Sequence, residues 1–215
     1  MTSSVTSIRN GGGAIAGPAQ MVGFVFDWAN AATLAGLLTS CAALVFAIRG
    51  SFHPALALAL IAIIIDNVDG ILARRDRARS KAMHTFGAHL DCYADFVSKG
   101  IFPSLLLLMS TDLAPAYLPV AALHICAIAV RYSYEFVPDF PPAGLSPDYS
   151  IVVFATFWLG CTALGVFSAP LLALLMLIMA ALNVSPLRVP KLVGPWLISF
   201  LGLIFSLIAA LLWTS

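Results

Sequence analysis

The sequence predicts an all-α polytopic bundle of about seven membrane-crossing helices, within a range of six to eight, on three observations. Apolar residues make up 61% of the 215-residue chain and charged residues only 10%, where soluble domains carry a charged share of about 25%. A soluble domain of this size could not hide that much apolar surface. Apolar runs of about 20 residues, or close to it, which is the length that crosses a bilayer, fall at 30–49, 54–74, 87–110, 116–137, 148–165, 169–185 and 195–214. Counting part of 14–28 as a further dip gives eight. Finally, with the N-terminus in the cytoplasm, Arg9, Arg74, Arg75, Arg77, Arg79, Lys81, Arg188 and Lys191 gather on the cytoplasmic side and only Arg49 lies opposite. That asymmetry obeys the positive-inside rule, and the reverse orientation would break it.

Taken in order, residues 1–28 are rich in Ser, Gly and Ala and lack the continuous apolar stretch of a signal peptide, so they read as a flexible cytoplasmic tail. The membrane domain then covers 29–215. Asn30 is placed to cap the first helix. Arg49-Gly50 closes that helix, and His53-Pro54 opens the second with proline near the first turn. The second helix is apolar to Ile65, meets Asp66 and Asp69, and ends near Arg74. A basic linker at 75–81 leads to a third helix from about Phe86, with Asp91 and Asp95 in its first three turns. The fourth ends on Arg131 and Glu135, one helical turn apart. The Pro-rich stretch 137–147, with four prolines and Gly144, reads as an ordered cover rather than a helix. The fifth and sixth runs are short, with Gly165 and Pro170 marking the tight turn between them. A short basic connection, 185–191, precedes the last run.

Cys41, Cys92, Cys126 and Cys161 all fall within these runs, without metal-ligand spacing, and read as small buried apolar residues. A net charge of +1 and the lack of any basic–aromatic patch give no support to nucleic-acid binding. Tyr117, Phe52, Trp196 and Trp213 read as interfacial anchors. His84 and His89 have no partner spacing and read as loop or packing residues.

The chemistry concentrates between Asp66 and Asp95. The chain there reads Asp66-x-x-Asp69-Gly70-x-x-Ala73-Arg74, then twelve residues, then Gly87-x-x-x-Asp91-x-x-x-Asp95. Asp66 and Asp69 share one helix face, and Gly87, Asp91 and Asp95 share another. Both pairs lie near the same membrane face, so the helices converge on one site. An ionised residue at the centre of a span costs about 2.5–3.5 kcal/mol, and four converging carboxylates repel one another unless cations are present. Mg²⁺ or Mn²⁺ suits oxygen ligands of this kind and pairs naturally with phosphates. Two such ions, bridged by shared carboxylates, would clamp a diphosphate. Gly70, Ala73 and Gly87 would clear room for a ligand against the backbone, although small residues also serve helix packing.

These residues match, at all eight fixed positions, the D-x2-D-G-x2-A-R-x(n)-G-x3-D-x3-D signature, and the chain resembles the CDP-alcohol phosphatidyltransferase family. The resemblance implies a helical membrane enzyme, usually a homodimer, that moves a phosphatidyl group from CDP-diacylglycerol to an alcohol and releases CMP. It implies Asp66, Asp69, Asp91 and Asp95 as ligands of Mg²⁺ or Mn²⁺, with Asp95 also the general base. It places Gly70, Ala73, Arg74 and Gly87 at the cytidine diphosphate. Three stretches (91–103, 144–147 and 183–191) are similar to the phosphatidylserine synthase branch, which implies L-serine as acceptor, phosphatidylserine as product and a prokaryotic inner membrane with the site facing the cytoplasm. The chain departs from that branch at Cys92, Lys99, Tyr134 and Phe136. Lys99 is read either as a substitute positive charge for substrate or as an ion pair with Asp95. Arg131 is read either as a phosphate or carboxylate ligand or as a pair with Glu135. Glycerol 3-phosphate, an inositol phosphate and choline are the alternative acceptors, and an ion transporter using intramembrane carboxylates is the alternative class.

Overall fold

The computed structural model describes residues 22–76, 79–140, 143–187, 189 and 194–214. Most of the N-terminal tail, Arg9, Arg77, Arg188 and Lys191 lie outside the described residues.

Among the described residues the fold is all-α. Five helices are long and apolar enough to cross a membrane: α1 (Trp28–Ile48), α2 (Phe52–Arg75), α3 (Lys81–Met109), α4 (Pro115–Glu135) and α7 (Pro195–Trp213). The other two, α5 (Asp148–Leu164) and α6 (Ala169–Asn183), are apolar but only 17 and 15 residues long. At 1.5 Å per residue they reach about 26 and 22 Å, short of a hydrocarbon core of about 30 Å. The expectation of about seven apolar helices, with the fifth and sixth short, is met among the described residues as five long helices and this shorter pair. Gly165, left-handed at φ 66°, ends α5, and Pro170 lies in the first turn of α6, as glycine and proline at those positions should.

The helix starts differ from expectation in two places. Asp27, not Asn30, caps α1: its carboxylate accepts a hydrogen bond from the Asn30 N–H at 3.2 Å. Asn30 itself is buried, which leaves its amide for a tertiary contact described below. α3 begins about one turn earlier than expected, at Lys81, because Ser80 accepts from the Met83 N–H at 3.2 Å.

α1 and α2 form the most extensive helix pair. Alanines permit this: Ala43 and Ala47 of α1 and Ala55 and Ala59 of α2 are all buried, so the two backbones approach closely. Leu56, Leu60 and Ile63 continue the buried face of α2 toward Phe102 and Leu106 of α3, Ile151 and Phe154 of α5, Met176 of α6 and Ile204 of α7. Large apolar side chains on the other faces, such as Ile198 and Phe205 of α7, are exposed as lipid-facing residues must be. Trp196 and Trp213 are exposed at opposite ends of α7. The cysteines are free, and Cys41 and Cys126 are exposed on the outer surface rather than packed inside, which corrects their reading as buried residues.

The Pro-rich segment docks onto the end of α6. Gly144 N–H donates to the Leu187 carbonyl at 2.7 Å and Leu145 N–H to the Leu182 carbonyl at 3.0 Å. Gly144 has φ +87°, and a Cβ there would collide with the Asn183 carbonyl. Both the left-handed backbone and the contact demand glycine. Gly144→Ala is therefore expected to destabilise the protein by about 1–3 kcal/mol, read as a lower thermal unfolding midpoint in detergent.

Candidate active site

α2 delivers Asp66 and Asp69 before its basic end, and α3 delivers Asp91 and Asp95 from its first half. Asp66, Asp91 and Asp95 each offer one carboxylate oxygen, and these oxygens lie within 4.8 Å of one another. Asp69 stands beside this cluster and is held separately: the Thr33 hydroxyl donates to its Oδ2 at 2.6 Å. All four carboxylates line one small cavity with Thr33, Gly36, Ser40 and Ser98. Asp91 Oδ1 is buried with no hydrogen-bond partner among the described residues. A buried carboxylate oxygen without a donor, within a group of hard oxygen ligands, fits a divalent cation.

Below Asp95 the helix α3 loosens into a π-helical turn, Phe96–Ile101. Pro103 has no N–H and cannot donate to the Lys99 carbonyl four residues earlier. The Phe102 N–H reaches back instead to the Val97 carbonyl, and His124 Nε2 of α4 takes the Lys99 carbonyl at 3.1 Å. Gly100 lets the turn press on Ile128, where a Cβ would lie 3.2 Å from the Ile128 side chain. A π-turn of this kind redirects a side chain, and here the side chain is Lys99. Only 3% exposed, its Nζ lies 2.7 Å from Asp95 Oδ1, 2.6 Å from Asp148 Oδ1 and 3.3 Å from Asp66 Oδ2. The ion pair with Asp95 was one of the two sequence readings of Lys99; the partners Asp66 and Asp148 were not foreseen.

The other oxygen of Asp95 accepts a hydrogen bond from the Tyr132 hydroxyl at 2.9 Å. Arg131 pairs with Glu135 at 2.7 Å, the structural alternative of its two readings. Neither Lys99 nor Arg131 lines the two cavities that the signature residues line. Tyr132 and Asp148 were missed by sequence reasoning. Asp148 carried a signal, a carboxylate in the first turn of an apolar helix, with Ser146 donating to its second oxygen at 3.0 Å. Tyr132 carried none beyond being a polar aromatic inside a span.

A second, open groove of ≈ 450 Å³ adjoins the cluster, lined by Gly70, Ala73 and Gly87 with Asn30, Arg79 and His84 among others. The expected small residues thus share one wall. Gly87 also has a protein partner: a Cβ there would lie 2.7 Å from both Arg79 Nη2 and Asn30 Oδ1. Arg79 is 4% exposed, bridges to Asp27 at 2.7 Å and donates to Asn30 Oδ1 at 2.6 Å. It fastens the α2–α3 loop to the start of α1. Arg74 folds back over Gly70, where a Cβ would meet its Nη1 at 3.2 Å. His84 reaches the groove, whereas His89 stacks on Phe136 at 4.5 Å.

If the carboxylate cluster holds a divalent ion, Mn²⁺ should raise the unfolding midpoint of the detergent-solubilised protein. At a hundred times the dissociation constant the gain is about 2.7 kcal/mol. Asp91→Asn should remove that gain, and a midpoint insensitive to Mn²⁺ in the unsubstituted protein would contradict the reading.

The sequence profile of the CDP-alcohol phosphatidyltransferases matches residues 26–213. The phosphatidylcholine synthase of Legionella pneumophila subsp. pneumophila (strain Philadelphia 1) is 33% identical to this chain over 106 residues, which is 48% of the chain and 39% of that relative. The alignment therefore covers well under two thirds of the relative's length. Its name is that of a choline enzyme, so the expected placement in the phosphatidylserine synthase branch is not supported. The match along almost the whole helical domain makes the chain a member of the CDP-alcohol phosphatidyltransferase family, an integral membrane transferase.

Proposed function

We propose that the protein transfers the phosphatidyl group of CDP-diacylglycerol to choline, forming phosphatidylcholine and CMP. The observation that carries the choice of acceptor is the engagement of the interior cations. Lys99 is bound by three carboxylates and Arg131 by Glu135. Serine brings a carboxylate, and glycerol 3-phosphate or an inositol phosphate brings a phosphate; each would call for a cation not already paired at the reacting centre. Choline brings only a positive charge and a hydroxyl. It needs no such cation, and Tyr132 beside Asp95 offers an aromatic neighbour for a quaternary ammonium. The name of the Legionella relative is in line with this reading.

Asp66, Asp69, Asp91 and Asp95 would hold Mg²⁺ or Mn²⁺, which when bound would offset charge on the diphosphate and make CMP a better leaving group. The groove beside them, floored by Gly70, Ala73 and Gly87, would take the cytidine diphosphate, with Arg74 at its rim and Arg79 in its wall. Asp95 would accept the proton of the choline hydroxyl as that oxygen attacks the phosphorus bearing the diacylglycerol. The bond from that phosphorus to the CMP oxygen breaks, and CMP leaves with the electron pair. Lys99 and Tyr132 hold one oxygen each of Asp95, and a carboxylate keeps further lone pairs for the incoming proton. The basic residues Arg74, Arg75 and Lys81 flank the site end of α2 and α3, which supports a cytoplasmic-facing site; a prokaryotic inner membrane is part of the proposal without a structural observation behind it. The homodimer is part of the proposal on the strength of the family alone.

The test is CMP release by purified protein supplied with CDP-diacylglycerol, Mg²⁺ or Mn²⁺, and in turn choline, serine, glycerol 3-phosphate and an inositol phosphate. Release with choline, falling about 10²- to 10⁴-fold in Asp95→Asn, is the expected result. Release with serine alone would overturn the acceptor and keep the chemistry. No release with any acceptor from folded protein would overturn the donor and revive the ion-transport reading.

A further inference from the structure

Two of the three carboxylates whose oxygens converge on a common point, Asp66 and Asp95, are already paired with an ammonium group. Lys99 Nζ lies 3.3 Å from Asp66 Oδ2 and 2.7 Å from Asp95 Oδ1. An ion entering the cluster must compete with Lys99 for those two acids. Lys99 has no easy retreat, because it is buried in the π-turn, its carbonyl is fixed by His124, and Gly100 is packed on Ile128. It has one other partner, Asp148 Oδ1 at 2.6 Å. Asp148 arrives on a different helix, is steadied by Ser146, and belongs neither to the converging set nor to the lining of the cavity at the cluster.

We propose that Lys99 is a tethered competitor for the divalent cation and that Asp148 sets the strength of that competition, so that the pair tunes cation affinity. The inference rests on the reading that Asp66, Asp91 and Asp95 hold a divalent ion. When the ion draws Asp66 and Asp95 away, Lys99 keeps Asp148 as its counter-charge, and no unpaired ammonium is stranded in a low-dielectric interior. Without Asp148, the ion would have to strip Lys99 of every partner. Without Lys99, Asp66 and Asp95 would be free for the ion, and Asp148 would have nothing to act through. Asp148 is thus a positioning residue, not a ligand.

The experiment is a Mn²⁺ titration of the purified full chain in detergent, followed by electron paramagnetic resonance of the free ion, with neither donor nor acceptor present. Asp148→Asn should weaken binding about 10- to 100-fold, the range for groups that support a metal site without touching it. Lys99→Met should tighten it, and the double variant should bind as Lys99→Met does. Asp148→Glu should restore much of the affinity. Unchanged affinity in Asp148→Asn would overturn the inference, as would a double variant as weak as Asp148→Asn, which would make Asp148 a direct ligand. Should Lys99→Met fail to fold, Lys99→Gln takes its place in the single and double variants, with the same outcomes expected. A folded, unsubstituted protein that binds no Mn²⁺ would overturn the metal reading itself and this inference with it, whereas binding in that protein with indifferent variants would overturn the inference alone.

Discussion

Negative charge held inside an apolar bundle is the constraint around which the rest of this structure is arranged. Asp66, Asp69, Asp91 and Asp95 share one small cavity, and Asp148 reaches the same neighbourhood through Lys99. Each ionised group at the centre of a span carries a cost of about 2.5–3.5 kcal/mol, and their mutual repulsion adds to it. The chain supplies donors to part of this charge. Thr33 serves Asp69, Tyr132 and Lys99 serve Asp95, and Ser146 and Lys99 serve Asp148. Asp91 keeps a buried oxygen with no donor among the described residues. The protein therefore satisfies most of its buried carboxylate oxygens and leaves a vertex that asks for a cation from outside.

Placing Lys99 there required a defect in a helix, and the defect can be traced to single residues. Pro103 removes the N–H that would close the turn on Lys99, and the freed carbonyl finds His124 on the neighbouring helix. Ser104 extends the same joint, donating to the Gly100 carbonyl at 2.9 Å and lying 3.1 Å from the Ala121 carbonyl. The π-turn is thus stitched to α4 through the Lys99 carbonyl, so the position of the lysine depends on α4 as well as on its own helix. A side chain fixed this firmly acts as a standing charge in the site, unlike a flexible surface lysine whose charge is screened by water.

The fold was legible where local rules operate. Apolar runs marked the position of each helix, Gly165 and Pro170 marked the turn between α5 and α6, and the spacing of the aspartates placed four carboxylates at one site. It was not legible where a partner comes from far along the chain. Asp27 outcompetes Asn30 as the cap because the Asn30 side chain is claimed by Arg79, and that pairing exists only after the α2–α3 loop has docked. The missing donor at Pro103 could be read in sequence, but His124 as the recipient could not. Lys99 showed its partner one turn away, Asp95, but not Asp148, which sits at the start of a helix two elements later. Cysteine identity said nothing of which helix face meets lipid, so Cys41 and Cys126 turned out to be exposed.

The same charge arrangement links the two cavities. The groove beside Gly70 and Gly87 has a cationic wall, because Arg79 is held there by Asp27 and Asn30, and a second guanidinium lies over Gly70. The adjoining cavity is lined by four carboxylates. A diphosphate laid along the groove would have guanidinium groups on one side and carboxylates on the other, and a divalent ion is what lets a phosphate approach the carboxylates. In the proposed reaction specificity would divide along the same line. The anionic donor would lie toward the end where the arginines are, and the region around Asp95, where Lys99 is already paired, would favour an acceptor that brings no negative charge. A phosphorylated or carboxylate-bearing acceptor that sought Lys99 would have to break its buried ion pairs, and breaking such a pair is costly because it leaves a charge unmatched in the interior.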